Sequence, residues 1–178
     1  MKKVLILSGS PRKGGNSDVL CDAFLKGASE SGNLVEKIRV AEKKVHPCTG
    51  CYVCKQTGGK CVYRDDMGEI LQKIIDADVI VLASPVYFYS VCAQLKTVID
   101  RTVARWREIK EKQFYFIVTA AEDEEQTTET TLDCLRGFMD CCDGSVEKGV
   151  VDAKGVYELG EIDGTPYPRQ AYQMGKNV

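Results

Sequence analysis

The segment from Lys3 to Ser17 reads KVLILSGSPRKGGNS, a short run of strand-forming residues followed by a loop rich in glycine and hydroxyl side chains. Asn16 or Ser17 can cap a helix that runs to about Ser31, where a glycine follows. This order predicts a buried β-strand whose loop leads directly into the N-terminus of a helix.

The strand-then-helix pattern repeats along the whole chain. The predicted strands are Lys3–Leu7, Val35–Val40, Val79–Ala83, Phe114–Val118 and Val146–Val151. The predicted helices are, approximately, Asn16–Ser31, Asp66–Asp76, Ser90–Val103, Thr127–Cys142 and Thr165–Lys176. The third and fourth strands show no polar alternation, which is typical of strands buried on both faces of a parallel sheet. The pattern predicts an α/β fold of the flavodoxin-like, doubly wound kind: a five-stranded parallel sheet of order 2-1-3-4-5 with helices on both faces.

Three helix starts besides that of the first helix carry capping signals. Asp66 with Glu69 three residues later is a capping-box pattern. Ser90 can cap the helix that contains Leu95, and Thr165 stands directly before a proline at the start of the last helix. We therefore expect side-chain caps at these three positions.

Composition narrows the class of protein. The chain has 178 residues, of which 44% are hydrophobic and 28% charged, so we expect one globular domain over residues 1–178 with a cysteine-rich insertion at about 46–64. A formal net charge of −2 gives no general attraction to nucleic acid. No apolar run approaches the roughly 18 residues of a membrane span or the length of a signal-peptide core, so we expect a cytoplasmic protein without a membrane partner.

The loop after the first strand is a candidate anion site. Backbone N–H groups and the helix dipole favour an anion there, the hydroxyls of Ser10 and Ser17 can donate hydrogen bonds, and Arg12 can pair with the charge. The loop lacks the lysine and Ser/Thr of a P-loop and the glycine spacing of a dinucleotide fingerprint. It therefore predicts a monophosphate ligand, the alternative being a glycine-rich turn that only caps a helix.

The cysteines are the second unusual feature. The chain has nine, and Cys48, Cys51, Cys54 and Cys61 follow the spacing C-x2-C-x2-C-x6-C. An odd number in an expected cytoplasmic protein argues against a disulfide framework. The compact run favours a 4Fe–4S cluster, which four cysteines can hold. Free cysteines, a zinc site or a redox disulfide remain as alternatives.

Three segments together resemble known families. The segment Ser8–Ser17 is similar to the FMN-phosphate loop of the NADPH-dependent FMN reductase and iron–sulfur flavoprotein families. The segment Ser84–Tyr89, with Gln94–Lys96 and Ile99–Arg101 after it, resembles their second flavin loop and the helix that follows. The segment from Cys48 to Met67 resembles the cysteine segment of the iron–sulfur flavoproteins. The resemblance covers nearly the whole chain, with the motifs in the expected order.

The resemblance implies FMN as a cofactor and assigns its contacts. The implied FMN-binding residues are Ser10, Arg12, Gly15, Asn16, Ser17, Pro85, Val86, Tyr87, Phe88 and Thr119. Of these, Ser10, Arg12, Asn16 and Ser17 would hold the phosphate, and the loop glycines would let the backbone close on it. The segment Pro85–Phe88 would face the ring system, largely through backbone N–H groups, with Thr119 as a weaker contact. The four cysteines Cys48, Cys51, Cys54 and Cys61 would hold a 4Fe–4S cluster. No catalytic side chain is implied, because the cofactors carry the chemistry.

The resemblance also implies a function. We expect an FMN-dependent oxidoreductase that takes electrons from NAD(P)H or a ferredoxin-type donor and passes them, through the cluster where it is present, to a small-molecule or protein acceptor. A homodimer or homotetramer is implied as well. A non-enzymatic electron carrier with FMN and the cluster but no nicotinamide site is the main alternative, and a zinc-stabilised binding module without FMN is a third. The sequence identifies neither the acceptor nor the preferred nicotinamide.

Overall fold

The computed structural model describes all residues from 1 to 178 and contains one sheet with helices on both faces. The strands are β1 Lys3–Ser8, β2 Leu34–Arg39, β3 Val79–Tyr87, β4 Ser90–Val91, β5 Gln113–Thr119 and β6 Val146–Ala153. The helices are α1 Asn16–Glu30, α2 Val53–Gln56, α3 Met67–Asp76, α4 Ala93–Arg101, α5 Glu129–Asp140 and α6 Tyr167–Lys176, with short 3₁₀ turns between some of them.

The strand order confirms the predicted flavodoxin-like topology. The sheet runs β2-β1-β3-β5-β6 with every neighbouring pair parallel, which is the order 2-1-3-4-5 among the five long strands. The sequence does not predict the sixth strand, β4, which has two residues and pairs antiparallel with the end of β3. No helix is both long enough and apolar enough to cross a bilayer.

Two apolar cores lie on opposite faces of the sheet. One contains α3, α4 and α5, and the other contains α1 and α6. On the second face α1 and α6 approach so closely that a Cβ on Gly27 would lie 2.2 Å from the carbonyl oxygen of Tyr172, and one on Gly175 would lie 2.2 Å from that of Phe24. Only glycine permits this contact, which fixes α1 against its neighbour.

Two of the three caps predicted after the first helix are wrong. Ser90 belongs to β4, and α4 begins at Ala93 without a side-chain cap. Asp66 does not cap α3 either, because its carboxylate accepts a hydrogen bond from the backbone N–H of Lys44 at 2.7 Å. At α6 the hydroxyl of Thr165 accepts a long hydrogen bond, 3.4 Å, from the N–H of Tyr167. A local hairpin outweighs the capping signal at Ser90, and a tertiary contact outweighs it at Asp66.

The start of α1 also differs from its predicted capping. The helix begins at Asn16, with Gly15 at the N-cap position and no side-chain hydrogen bond to the first turn. The first N–H groups of a helix have no intrahelical acceptor. The first backbone N–H groups of α1 therefore remain free to donate hydrogen bonds to a group outside the helix.

Candidate functional site

A cleft opens at the carboxyl ends of β1, β3 and β5, where a doubly wound sheet usually binds its ligand. It is lined by Ser10, Arg12, Asn16, Ser17, Pro85, Val86, Tyr87, Thr119, Ala121, Val156 and Tyr157. Eight of the ten residues implied for FMN binding are in this set. Gly15 and Phe88 are not; Gly15 is buried in the loop beneath, and the side chain of Phe88 is fully exposed.

The loop between β1 and α1 has donors available at one end of the cleft. Gly14 has a φ of +67°, a conformation that favours glycine. A Cβ on Gly15 would lie 2.9 Å from the Cβ of Arg12, so the loop is tightly folded there. The side-chain oxygen of Asn16 is buried without a hydrogen-bond partner. Because rotation of this amide can present its N–H instead, Asn16 is available to a bound anion.

The other polar side chains at this end are held by neighbours. The hydroxyls of Ser17 and Thr119 lie 2.7 Å apart, which joins α1 to the end of β5. The guanidinium of Arg12 donates to the carbonyl oxygen of Tyr157 at 2.8 Å and lies 5.3 Å from the centre of its ring. Sequence reasoning missed Tyr157, because the segment after β6 carries no recognisable motif.

A buried carboxylate supports the loop from below. Asp18 accepts hydrogen bonds from the N–H of Gly14 and the hydroxyl of Ser8, both at 3.0 Å, and forms ion pairs with Lys37 and Arg39 of β2. Burial raises the pKa of Asp18, but the hydrogen bonds and the attraction of Lys37 outweigh it, so the pKa lies below its ordinary value. The ionised side chain therefore fixes the loop.

The turn between β3 and β4 forms another edge of the cleft. Phe88 and Tyr89 both have left-handed backbone conformations, with φ of 50° and 58°. Two consecutive residues of this kind make a tight hairpin turn that usually contains asparagine or glycine. The hydroxyl of Tyr89 donates to Glu122 at 3.1 Å, and the N–H of Cys92 donates to the hydroxyl of Ser84 at 2.9 Å. These bonds hold the turn beside the cleft.

The four clustered cysteines line a second cavity. Its volume is about 340 Å³, and its wall includes Cys48, Cys51, Cys54, Cys61, Tyr63 and Arg101. All four thiols are free, and those of Cys48 and Cys51 belong to exposed residues. No three His, Cys, Asp or Glu side chains converge closely enough to hold a single metal ion. The structure thus brings the predicted cysteines to one cavity without forming a single-ion site.

Comparison with known proteins adds a family and a fold. The family model described as NADPH-dependent FMN reductase matches residues 2–153. An iron-sulfur flavoprotein of Archaeoglobus fulgidus is 50% identical over 101 residues, which are 57% of this chain and 45% of that protein. An iron-sulfur flavoprotein of Methanocaldococcus jannaschii is 48% identical over 100 residues, 56% of this chain and 51% of the relative. The matched region is about half the length of these curated relatives.

Solved structures agree on the fold. An azoreductase from Bacillus anthracis superimposes with a TM-score of 0.80 at 16% identity, covering all of both chains. An NAD(P)H:quinone oxidoreductase from Methanothermobacter marburgensis gives a TM-score of 0.77 at 18% identity, covering 99% of this chain and 95% of the other. At these identities the similarity establishes the shared fold.

Proposed function

Because the chain belongs to the NADPH-dependent FMN reductase family, we propose that it binds FMN in the cleft and acts as an oxidoreductase that takes electrons from NAD(P)H. The observation that carries the proposal is the cleft itself. It lies at the carboxyl ends of the central strands and combines an uncapped helix N-terminus, Arg12 and Asn16, whose side-chain oxygen has no hydrogen-bond partner. These groups match a phosphate monoester.

The residues of the chain would bind and orient the cofactor. Ser10, Arg12, Asn16 and Ser17 would hold the phosphate, with Gly15 allowing the backbone to approach it. Pro85, Val86, Tyr87, Phe88 and Thr119 would border the ring system, where fixed backbone dipoles favour negative charge. When bound, FMN supplies hydride acceptance and the release of single electrons.

We propose further that Cys48, Cys51, Cys54 and Cys61 hold a 4Fe–4S cluster. The support is that all four cysteines line one cavity, and that the two relatives above are named iron-sulfur flavoproteins. Four thiolates are the usual ligands of such a cluster.

Purification without oxygen tests both proposals. We expect the absorption bands of flavin on top of the broad absorbance of an iron–sulfur cluster. Chemical analysis should find about four iron and four sulfide per chain, as a cubic cluster requires. Addition of NADH or NADPH should then bleach the flavin. Bound flavin that neither nucleotide bleaches would instead support the non-enzymatic carrier, and a colourless protein with stoichiometric zinc would support the binding module.

The partners follow from the same proposal. The acceptor would be a small molecule or a protein that can reach the exposed edge of the cleft, and a ferredoxin-type protein is the alternative donor. We also propose a homodimer or homotetramer, which light scattering of the purified protein would test. A monomer at micromolar concentration would contradict it.

A further inference from the structure

The cysteine segment is closed at its base by contacts between its two ends. The N–H of Lys44 donates to the Asp66 carboxylate at 2.7 Å, and the N–H of Asp66 donates back to the Lys44 carbonyl at 3.0 Å. Beside them the N–H of His46 donates to the carboxylate of Asp65 at 2.9 Å. Residues 47–64, which we call the cysteine loop, therefore begin and end at one neck.

One buried arginine binds both sides of this neck. Arg101, the last residue of α4, is 3% exposed. Its two terminal nitrogens contact the two carboxylate oxygens of Asp65 at 2.7 and 3.0 Å, and it also donates to the carbonyl oxygen of His46 at 2.5 Å. Such a bidentate pair fixes both position and orientation.

No other ion pair joins the loop or its neck to the rest of the protein. An exposed ion pair would contribute little, but removing one partner of a buried pair leaves an uncompensated charge. The Arg101–Asp65 pair is therefore the one buried ion pair that joins the neck to the rest of the fold.

The same arginine forms part of the wall of the cysteine cavity. Burial lowers the pKa of Arg101, but hydrogen bonding and attraction to Asp65, with smaller contributions from Cys61 and Cys48, raise it above its ordinary value. Arg101 thus remains a fixed positive charge beside thiols that must lose their protons to bind a metal.

We propose that Arg101 and Asp65 are positioning residues that latch the cysteine loop in its cavity-forming shape before any cluster is bound. Arg101 also places a compensating positive charge beside the thiolates. The latch concerns the loop alone, whereas the charge role rests on the proposed cluster.

Limited trypsin digestion of the metal-free protein tests the latch. The cysteine loop contains the cleavage sites Lys55, Lys60 and Arg64. We expect cleavage there to be at least tenfold faster in Arg101→Gln than in the wild type, as mass spectrometry of the fragments would show. Arg101→Lys should fall between them, because lysine keeps the charge but lacks the planar fork. Arg107→Gln makes the same charge change at an exposed residue and should match the wild type.

Asp65→Asn is the second variant, and its FMN binding shows whether the rest of the protein remains folded. It should also accelerate cleavage at least tenfold while FMN binding changes little, and the melting temperature should fall because Arg101 is left buried without its carboxylate. Unchanged cleavage in both variants would overturn the latch. Loss of FMN binding in both would overturn it too, since the role would then not be local to the loop.

Anaerobic reconstitution with iron and sulfide tests the charge role. We expect Arg101→Gln to retain less than half of the wild-type iron while holding FMN normally. Wild-type iron content in this variant would overturn the charge role. A wild type that takes up no iron would overturn both the charge role and the proposed cluster, and the trypsin result would still decide the latch.

Discussion

The cleft at the strand ends and the cysteine loop are built in opposite ways. The cleft is formed by the ends of three buried strands. The loop after β1 is tied by a hydrogen bond to α1, and the first turn of α1 is joined to β2 by an ion pair and to β5 by a hydrogen bond. The cysteine loop is an excursion between β2 and α3 that contains only the four-residue helix α2. Glycines at 50, 58 and 59, all with positive φ, shape it.

The difference shows which site the fold supplies by itself. A doubly wound sheet creates a cleft at its switch point whatever the loops contain. The cysteine loop gains little from the sheet and depends on its neck and, where a cluster binds, on the cluster. We therefore expect the cleft to lose its shape only when the core unfolds. The cysteine loop can lose its shape while the rest of the protein stays folded.

Thiol reactivity should separate the two regions most strongly. Cys21 lies fully buried on α1 behind the cleft, and burial raises its pKa to about 12, whereas Cys48 and Cys51 are exposed. At pH 8 only roughly one Cys21 in ten thousand is a thiolate. Iodoacetamide should therefore modify Cys48 and Cys51 in the metal-free protein at least a thousandfold faster than Cys21. Peptide mass spectrometry would measure the rates, and similar native rates would contradict the contrast; in denaturant all three should react alike.

The next largest effect is expected from the close packing of α1 against α6 behind the cleft. In Gly27→Ala the new Cβ would meet the backbone of α6, so we expect a loss of about 3 kcal/mol in the free energy of unfolding and weaker FMN binding. Gly137→Ala on α5 is the control, because nothing lies within 4 Å of its Cβ position; it should be neutral or stabilising by about 0.5–1 kcal/mol. Urea unfolding would measure both. Equal stability of the two variants would show that the α1–α6 contact can relax.

The fold is predictable because its signals are local and repeated. The three central strands β1, β3 and β5 are apolar runs, β2 and β6 mix apolar with charged residues, and each main helix has its own apolar face. The two-residue β4 is not predictable, since Phe88 and Tyr89 occupy turn positions that usually contain glycine or asparagine. Ser90 consequently resembles a helix cap in the sequence, although it pairs with Tyr87.

The residues of the candidate site can likewise be predicted only where they are close neighbours in the sequence. Ser10, Arg12 and Asn16 belong to one continuous motif, so the sequence identifies them together. The role of Asp18 in holding the loop cannot be predicted from the sequence, because its partners Lys37 and Arg39 come from β2. The bond between Arg101 and Asp65 spans 36 residues, and nothing in the local sequence indicates that they pair.

Arg12 should have a moderate and specific effect on the cofactor. We expect Arg12→Ala to weaken FMN binding roughly tenfold, because a charge-assisted hydrogen bond contributes about 1.5–3 kcal/mol and the exposed site reduces it. Lys13→Ala is the control, since Lys13 is exposed beside it and does not line the cleft; its affinity should change less than about twofold. Fluorescence titration of the apoprotein with FMN would measure both. Unchanged affinity in Arg12→Ala would mean that Arg12 serves only to hold Tyr157.

The smallest effect is the pH dependence of the stability that the Asp18 carboxylate gives to the loop between β1 and α1. The pKa of Asp18 in the folded protein lies below its ordinary value of 3.8, because Gly14, Lys37 and Ser8 more than offset its burial. Its stabilising contribution is therefore present above about pH 4 and is lost as the pH falls through the folded pKa. We expect Asp18→Asn to lower the melting temperature by a few degrees at pH 7, since about 1 kcal/mol shifts it by about 2–4 °C, and the gap to the wild type should narrow below about pH 4.

Asp22→Asn is the matched control for Asp18→Asn, because it changes an exposed partner of the same Lys37. It should alter the melting temperature little at any pH, since an exposed ion pair contributes little to stability. Thermal unfolding followed by circular dichroism between about pH 3 and pH 7 would measure both variants beside the wild type. A gap for Asp18→Asn that stays constant over this range would mean that the loop is held by its backbone rather than by the ionised carboxylate.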